Sequence, residues 1–560
     1  MKILLIYPYC LEERVNTEDA GVIPIGLYYI AAVLKQNNYD VEILNWSKMK
    51  AEPRKIKDIL ISKKPDIIGF SILQANRWGA IDIARMARQI DPKTKIVFGG
   101  VSATFMWKHF LTHFSEIDFV IRGEGEFVFL NLVKSIEDGS YKPRDIKGLA
   151  FRKKGRPVKT EDFEFIRDID SLPNPAKYFK YNHLALSRGC PGHCTFCGSP
   201  QFWRRKVRFH STHYFVKELE LLYQKGVTFF YISDDTFTLK KNLVIGVCKK
   251  ILEKRLQIRW YAISRVDYID EEIICWMKKA GCIQISFGVE SGSEKIRNLL
   301  GKTIKTDQIK RAFDLTTKYG ILARAYFIYG CPGETWETIQ ETIDLIYEIK
   351  PLSIVFYVLV LFPGTALYAQ FEKKIKLGDN IWLNRIEDII YYETDPQLSQ
   401  ELILDFGKKL RSNFYDHLPD FVDAIHLIDK KEFYSTHSDF CSRLGMTFDH
   451  GDYSRIKAIK NKDKVSEKLY IRALNYSPDP RAYLGLGIMH QKKKAYKESI
   501  SRLTQGVNYF PDNEQLNLCL GISHMNLGEY NKALSYLLKF KDLKQFIPFI
   551  VNCYQALRDF

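Results

Sequence analysis

The first part of the chain alternates short apolar runs with longer stretches whose apolar residues recur at helical spacing. The longer stretches include "IGLYYIAAVLKQN" and "GAIDIARMARQI". The short runs are rich in β-branched residues and end in turn residues: "KILLIYP", "DVEILNW", "PDIIGFSIL", "KIVFGG" and "IDFVIRGEGE". Buried strands that alternate with amphipathic helices predict an open parallel α/β sheet over residues 1–137. Such sheets bind ligands beyond the carboxyl ends of their strands.

A linker is predicted at 138–180, with turn residues and a β-hairpin over 148–159. Strand and helix patterns then resume over 181–372 in six units. Six units are too few for an eight-stranded barrel, so they predict a partial (β/α)6 barrel. Polar and glycine-rich residues follow each predicted strand, at the end of a barrel where active sites lie. The same residue types also suit turns and helix caps.

The C-terminal region, residues 463–560, repeats its own pattern every 34 residues. The repeated positions are Leu486 and Leu520, Gly487 and Gly521, His490 and His524, and Tyr496 and Tyr530. The pattern resembles tetratricopeptide (TPR) repeats, in which each unit is a pair of helices. The resemblance implies an all-α array with a concave surface for a protein or peptide partner. A plain helical bundle is the alternative. Residues 373–462 are expected to form a helical extension.

Composition limits the classes of protein that this chain can belong to. With 560 residues, 46% of them hydrophobic and 27% charged, it predicts several folded domains and excludes a disordered chain. The net charge of +17 is spread over short clusters, and we find no nucleic-acid-binding module. No apolar run is long enough to cross a bilayer, and the N-terminus lacks the pattern of a signal peptide. We therefore expect a cytoplasmic protein whose cysteines are reduced.

Three of the eleven cysteines fall within eight residues of the stretch "LSRGCPGHCTFCGSP". They are Cys190, Cys194 and Cys197, at the end of the first predicted strand of the barrel. Three thiolates hold three corners of an iron–sulfur cube and leave the fourth iron open to a substrate or cofactor. A zinc ion would need a fourth ligand, and His193, directly beside Cys194, is poorly placed to supply it. An iron–sulfur cluster is the better interpretation of this spacing.

The pattern CxxxCxΦC, with Phe196 as its aromatic residue, resembles the signature of radical S-adenosylmethionine (SAM) enzymes. That resemblance implies a [4Fe–4S] cluster on Cys190, Cys194 and Cys197, whose open iron binds SAM. An electron from the cluster would cleave SAM to a 5′-deoxyadenosyl radical. By the same resemblance, several residues near the strand ends would contact SAM: Phe196, Asp234, Asp235, Glu290, Ser291 and Gly330. Cys331, next to the last of these, is expected to be a buried structural cysteine.

The first 137 residues resemble the cobalamin-binding domain of methyltransferases and of many radical enzymes. Ser71-Ile72-Leu73 matches an SxL element of that family and Gly99-Gly100 a GG element. The implied cobalamin contacts are Ser71, Leu73, Gly99, Gly100, Gly123 and Glu124. The family's DxHxxG element has no match, which implies that the lower face of cobalt lacks a histidine ligand. A flavodoxin-like domain that binds nothing is the alternative.

A cobalamin-binding-like domain followed by a radical SAM barrel resembles a class of enzymes that methylate unactivated carbon or phosphorus. Methyl transfer to carbon is therefore the predicted activity, with flavodoxin or ferredoxin as the electron donor. Members of this class that cyclise or rearrange their substrates are an alternative. A tRNA methylthiotransferase is another, although it would need an extra N-terminal cysteine trio and only Cys10 precedes Cys190. A non-enzymatic repeat adaptor that senses a cofactor is the third.

Overall fold

The structure is a computed structural model that describes residues 1–12, 22–139, 142–375 and 378–558. Its first layer is a seven-stranded sheet in the order β2-β1-β3-β4-β5-β6-β7. Five strands are parallel, as the pattern of buried strands predicted: β1 (Lys2–Tyr7), β2 (Asp40–Asn45), β3 (Ile67–Ser71), β4 (Lys95–Gly99) and β5 (Phe119–Ile121). The helices between and after them are α1 (Ile25–Gln36), α2 (Pro53–Lys63), α3 (Arg77–Ile90), α4 (Val101–His113) and α5 (Glu126–Glu137).

The predicted β-hairpin at 148–159 is present, but it does not stand apart as a linker. Its strands β6 (Leu149–Lys153) and β7 (Arg156–Lys159) pair antiparallel to each other, and β6 pairs antiparallel to β5. The hairpin therefore extends the first sheet and covers the edge that β5 would otherwise expose. Of the predicted linker, residues 140 and 141 lie outside the described residues.

The second sheet is parallel, has six strands and follows the order β15-β14-β13-β12-β11-β8. A short antiparallel pair, β9 (Ser187–Arg188) and β10 (Arg208–Phe209), flanks the cysteine loop. The six strands are β8 (His183–Leu184), β11 (Phe229–Ile232), β12 (Arg259–Ser264), β13 (Cys282–Glu290), β14 (Leu322–Tyr329) and β15 (Ser353–Val358). Its helices are α6 (Ser199–Phe202), α7 (Thr212–Gln224), α8 (Lys241–Glu253), α9 (Glu271–Lys279), α10 (Glu294–Leu299), α11 (Thr306–Lys318) and α12 (Trp336–Ile349). All six predicted strands are present, in a partial barrel.

The chain after the barrel returns to the first domain before it becomes helical. It contains the short pair β16 (Val360–Leu361) and β17 (Ile389–Ile390) on either side of α13 (Ala366–Ile375). Here the buried Arg77 of α3 donates to the carbonyl of Glu387 (2.7 Å), and Arg385 forms an ion pair with Asp82 (2.6 Å). Trp382 is buried in the same core as α3 and α4. This segment therefore ties the barrel to the first sheet.

Helices make up the rest of the chain. Those of the predicted extension are α14 (Gln400–Asp423) and α15 (Tyr434–Asp449), and their apolar faces join the core of the barrel. The helices that follow are α16 (Lys462–Tyr476), α17 (Pro480–Lys492), α18 (Tyr496–Tyr509), α19 (Glu514–Asn526), α20 (Tyr530–Leu537) and α21 (Ile547–Arg558). Among the described residues, we find no helix long and apolar enough to span a membrane.

Candidate active site

The carboxyl ends of β3, β4 and β5 meet at one edge of the first sheet, where Ser71 lies opposite Gly99. A cavity of about 330 Å³ opens there, between this sheet and the barrel. All six residues predicted to contact cobalamin line it: Ser71, Leu73, Gly99, Gly100, Gly123 and Glu124. The barrel contributes Arg188, Trp203 and Asp235 to the opposite wall. The structure thus brings these predicted residues together; their contacts with cobalamin stay a prediction.

Two adjacent glycines shape this cavity in different ways. A Cβ on Gly99 would have no protein atom nearer than the Phe70 carbonyl oxygen, at 3.8 Å, so its missing side chain leaves open cavity. Gly100 has φ of +97°, and a Cβ there would lie 2.9 Å from the Ile72 carbonyl oxygen. Only glycine adopts that conformation without strain. Gly99 therefore provides room for a ligand, whereas Gly100 allows the turn into α4.

The cavity wall also includes a histidine, His210, but both of its ring nitrogens are already engaged. Nε2 lies 3.1 Å from the Tyr29 hydroxyl and Nδ1 lies 2.8 Å from an Asp170 carboxylate oxygen. Burial lowers the pKa of His210 to about 4, so the imidazole is neutral at pH 7. Among the described residues that line the cavity, His210 is the one histidine. The absence of a histidine ligand below cobalt remains a prediction, and the hydrogen bonds of His210 agree with it.

Buried ion pairs join the first domain to the barrel beside the cavity. Arg188 lies two residues before Cys190 and binds Glu124 and Glu126, each at 2.7 Å. Glu124 also pairs with Arg208 at 2.7 Å. These four side chains are nearly inaccessible to solvent, so loss of one partner would leave a buried charge unpaired. Because its carboxylate is occupied by two arginines, Glu124 holds the cysteine strand in place, a role that sequence alone did not suggest.

Behind this network lies Glu218, a fully buried glutamate of α7. It accepts hydrogen bonds from Tyr181 (2.5 Å) and Tyr29 (3.3 Å), and burial raises its pKa from 4.5 to about 7. Between about pH 4.5 and about pH 7 the unfolded chain releases this proton while the folded chain keeps it. The free energy of unfolding therefore falls as pH rises through that window.

We expect Glu218→Gln, which cannot ionise, to gain stability relative to the wild type across this window, by up to about 3 kcal/mol at its upper end. Urea denaturation of both proteins at a series of pH values measures this difference. Glu253→Gln, at an exposed glutamate of α8, is the control and should follow the wild type. If the difference in free energy of unfolding between Glu218→Gln and the wild type stayed constant with pH, the pKa of Glu218 would not be raised by folding.

The cysteine loop lies between β9 and α6 and is held in a compact form. A Cβ on Gly192 would lie 3.3 Å from Cys190 Sγ and 3.9 Å from Cys194 Sγ, so both sulfurs approach one point. The same position is 3.5 Å from an Arg265 guanidinium nitrogen. The amide of Thr195, inside the loop, donates to the Leu300 carbonyl at 2.9 Å, which anchors the loop to the barrel. The loop thus presents its thiols on a fixed backbone.

The three thiols are a suitable donor set for an anionic cluster. Burial raises the pKa of Cys194, and it raises that of Cys197 to about 12, so neither thiol ionises readily alone. Iron would favour the thiolates, as a metal does for its cysteine ligands. Arg265 and Lys302 add positive charge near Cys194. In the described part of the chain, no three His, Cys, Asp or Glu side chains converge on a point for a single metal ion.

Asp234 and Asp235, at the end of β11, have different surroundings. Asp234 is buried and accepts from the Leu186 amide (2.8 Å) and the Ser187 hydroxyl (2.5 Å), which fixes the strand that leads into the cysteine loop. Asp235 lines the cobalamin-side cavity and accepts from the Ser199 hydroxyl (2.6 Å). Burial raises the pKa of the Asp235 carboxyl group. Of the two, Asp235 is therefore the one placed to meet a ligand.

β13 ends at Glu290, and Ser291 follows it directly. Glu290 has φ of +68°, a conformation that is strained for a residue with a side chain and is typical of functional sites. Its carboxylate pairs with Lys302 at 3.0 Å. The Ser291 hydroxyl instead lies 3.3 Å from Thr342 of α12, within the protein. The predicted SAM contact of each residue stays a prediction, but Glu290 is nearer to the cysteines. Sequence analysis missed Lys302, because nothing in its local pattern distinguishes it from a surface lysine.

We expect Lys302→Met to destabilise the protein by about 3–5 kcal/mol, because it leaves the Glu290 carboxylate buried and unpaired. Both side chains of this pair are 8% exposed. Urea denaturation of the reconstituted enzyme measures the loss, and the double variant Lys302→Met, Glu290→Gln should recover part of it. Lys241→Met, at an exposed ion pair with Asp270, is the matched control and should shift the midpoint little. Equal shifts of the urea midpoint for Lys302→Met and Lys241→Met would contradict a buried ion pair between Lys302 and Glu290.

The turn after β14 contains the remaining candidates. Gly330, with φ of +76°, donates its amide to Glu334, which also accepts from the Cys331 amide. The Cys331 side chain is fully buried, which confirms its expected position in the core. Phe196 is half-buried against the core that the first domain shares with 359–389. The SAM contacts of Gly330 and Phe196 remain predictions.

A second cavity, of about 640 Å³, occupies the interior of the barrel. Its walls are the inward-facing residues of the six strands, and α14 and α15 close it. Ser233, directly before the two aspartates, lines this cavity and the cobalamin-side cavity as well. The two cavities therefore share one lining residue, directly before Asp234 and Asp235.

Comparison with known proteins shows which family this chain belongs to. Residues 184–346 match the model of the radical SAM superfamily, and residues 17–133 match that of the B12 binding domain. An uncharacterized methyltransferase of Pyrococcus horikoshii, PH0819, is 31% identical over 383 residues, which are 66% of this chain and 82% of the relative. The chain belongs to the radical SAM superfamily. Within it, the chain carries a B12 binding domain ahead of the radical SAM domain.

This radical SAM protein is also similar to a second relative and to a solved structure. The anaerobic magnesium-protoporphyrin IX monomethyl ester cyclase of Rubrivivax gelatinosus is 28% identical over 399 residues, 68% of this chain and 71% of the relative. The solved structure of the cobalamin-dependent SAM radical enzyme OxsB, with aqua-cobalamin and SAM bound, is similar to this chain with a TM-score of 0.55. It matches 99% of this chain and 84% of its own at 16% identity, so it supports the fold alone.

Family membership decides the cofactors. A radical SAM protein holds a [4Fe–4S] cluster and SAM, and the B12 binding domain provides for cobalamin. The cysteine loop and the glycine-lined cavity suit these groups, and Cys190, Cys194 and Cys197 remain the predicted iron ligands. The zinc site and the flavodoxin-like domain without a ligand are thereby set aside.

Proposed function

We propose that this radical SAM enzyme transfers a methyl group to an unactivated carbon of a substrate held in the barrel cavity. The observation that carries the proposal is Ser233, which lines both cavities and lies next to the aspartates behind the cysteine loop. A substrate in the barrel would have the cobalamin-side cavity on one side and the cysteine loop on another. Methylation through a radical requires that arrangement of the reacting groups.

The protein's own residues would hold and shield this reaction. When bound, the cluster and SAM supply the radical that removes a hydrogen atom, and cobalamin supplies the methyl group. Arg188, Glu124 and Glu126 hold the two domains together beside the reacting groups. Their nearly complete burial helps to exclude water, which would otherwise quench reactive species. Asp234 fixes the strand before Cys190 and so sets the position of the loop.

Cyclisation or rearrangement of the substrate is the second candidate. The similarity to the cyclase of Rubrivivax gelatinosus favours it, since that relative matches 68% of this chain and PH0819 matches 66%. In such a reaction the radical would form in the same way, but no methyl group would leave SAM for the product.

The test uses SAM with a deuterated methyl group and the full chain, reconstituted anaerobically with iron, sulfide and cobalamin and reduced chemically. We expect 5′-deoxyadenosine to form and the deuterated methyl group to appear on the cobalamin, as measured by mass spectrometry. Formation of 5′-deoxyadenosine without transfer of the label would reject methylation and favour the second candidate. No cleavage of SAM at all would reject both.

In the cell, a low-potential protein such as flavodoxin or ferredoxin would supply the electron. An oxygen-sensitive iron–sulfur cluster held by reduced thiolates suits a reducing compartment, so we place the protein in the cytoplasm.

We also propose that the C-terminal helices are TPR repeats that bind a protein partner. Supporting evidence comes from one packing contact that recurs after 34 residues. Gly487 of α17 packs against Leu503 of α18, and Gly521 of α19 packs against Leu537 of α20, each so closely that a Cβ would collide with the leucine. A plain helical bundle has no reason to repeat the same contact at a constant interval. The predicted end of the barrel at residue 372 and the predicted start of the repeats after residue 462 remain part of this proposal.

A further inference from the structure

The interior of the barrel has room that a closed barrel lacks. Eight-stranded barrels are filled by their own inward side chains, whereas this six-stranded one encloses about 640 Å³. Tyr231, Tyr261 and Tyr326 line one side of this space, and Tyr415 and Phe440 of the helical extension lie opposite. Aromatic rings thus lie on two sides of a cavity whose remaining wall is mixed in polarity, which suits a molecule with an aromatic or extended apolar part.

Two arginines are among the polar side chains of this wall. Arg324 of β14 lines the cavity and donates Nε to the Ser353 hydroxyl at 3.0 Å. Within the described chain no carboxylate lies at ion-pair distance from it. Arg443 of α15 also lines the cavity and donates Nε to Asp439, but its buried Nη2 has no hydrogen-bond partner among the described residues. Among the described residues, Arg443 thus keeps one unsatisfied guanidinium nitrogen beside its bond to Asp439, and Arg324 lacks an ion pair. Both groups therefore have capacity for an anion.

The other titratable groups of the cavity do not neutralise this charge. Asp439 is shared between Arg443 and Arg481, at 3.0 and 2.7 Å. Asp452 lines the cavity but is exposed to solvent. His183 stacks on Tyr231, and burial lowers its pKa to about 4, so it is uncharged at pH 7. The cavity therefore carries a net positive charge.

The arginines lie at the opposite end of the barrel from the reacting groups. Arg324 is paired with Ser353, the first residue of β15, near the amino-terminal ends of the strands. Ser233 follows the carboxyl end of β11. Tyr329, the last residue of β14, is five positions beyond Arg324, which is a rise of roughly 17 Å along the strand. A molecule whose anionic end is bound by the arginines would have to extend over this distance to bring its other end to the reacting groups.

We propose that the substrate is an anion, with a carboxylate or phosphate bound by Arg324 and Arg443 and an aromatic or extended apolar body between the tyrosines. Guanidinium groups bind either oxyanion through paired hydrogen bonds. This inference rests on the proposed function only in taking the barrel cavity as the substrate site. It gives the enzyme a substrate class: an amphipathic acid whose reacting carbon lies far from its charge.

The test measures binding of three matched probes to the reconstituted full chain by saturation-transfer NMR. The probes are 4-phenylbutyrate, its uncharged amide and 4-phenylbutyl phosphate. We expect both anions to bind at least about tenfold more tightly than the amide, as the strength of charge-assisted hydrogen bonds implies. The tighter of the two anions identifies carboxylate or phosphate as the natural group.

Arg324→Gln and Arg443→Gln should each remove most of this preference, and both are needed in case one fails to fold. Iron content and thermal midpoint report folding. Arg54→Gln, at an exposed arginine of α2, is the matched control and should bind the probes as the wild type does. Equal affinity for anion and amide, no binding of any probe up to its solubility limit, or unchanged preference in folded variants would overturn the anion site.

The same preparation of wild-type enzyme is assayed for cleavage of SAM to 5′-deoxyadenosine. Failure to cleave SAM would reject the proposed function. Cleavage of SAM without any preference for the anionic probes would reject only the anion site, so the two proposals fail separately.

Discussion

Cys194→Ala is expected to abolish both the iron–sulfur cluster and the cleavage of SAM. Cys194 is the central thiol of the trio, and its sulfur lies near that of Cys190 around Gly192. With two thiolates remaining, the cube loses a protein ligand that it cannot replace, since a [4Fe–4S] cluster of this type already has one open iron. Iron content should drop from about four per chain toward zero, and 5′-deoxyadenosine should fall to background.

The matched control for this prediction is Cys275→Ala, at a partly buried cysteine of α9 far along the chain from the loop. It should retain iron, the absorbance of the cluster and cleavage of SAM. Full iron content in Cys194→Ala would mean that the cluster has other ligands, and the assignment of the trio would be wrong.

Gly99→Leu is expected to block cobalamin binding while the cluster assembles normally. The protein atom nearest to a Cβ at this position is the Phe70 carbonyl oxygen, at 3.8 Å, and the position lines the cavity, so a leucine side chain would extend into ligand space. Crowding of this size costs about 1–3 kcal/mol, which is about a ten- to hundredfold loss of affinity. Cobalamin absorbance per chain after gel filtration measures the loss, and Gly99→Ala should lose less.

Gly100→Ala separates this effect from damage to the fold. Its φ of +97° and the nearby Ile72 carbonyl make any side chain there a strain on the turn, about 1–3 kcal/mol. It should lower the thermal midpoint, whereas Gly99→Leu should leave it nearly unchanged. Normal cobalamin uptake by Gly99→Leu would place the cobalamin site elsewhere.

Local sequence patterns predicted the elements of both sheets and the chemistry of the cysteine loop. Period-two and buried apolar runs depend on neighbours within a few residues, so the strands and their polar carboxyl ends can be derived from the chain directly. The spacing of Cys190, Cys194 and Cys197 is equally local, since one loop supplies all three ligands. Parallel strands then bring Ser71 and Gly99 to one edge without further information.

Sequence could not identify the partners of charged residues that are far apart in the chain. Glu124 matched a cobalamin contact by position, yet Arg188 and Arg208, 64 and 84 residues away, occupy its carboxylate. Lys302 is indistinguishable in sequence from a surface lysine and is buried against Glu290. Periodicity states which side of an element is buried but not which residue it meets.

The sequence by itself therefore determined the kind of chemistry: an iron–sulfur cluster with an open iron, a glycine-lined edge for cobalamin and a helical C-terminal region. The tertiary structure alone supplied the barrel cavity that we propose as the substrate site. The barrel cavity exists because six strands do not close and because α14 and α15 cover the gap. Its arginines come from segments more than a hundred residues apart, and only packing brings them together.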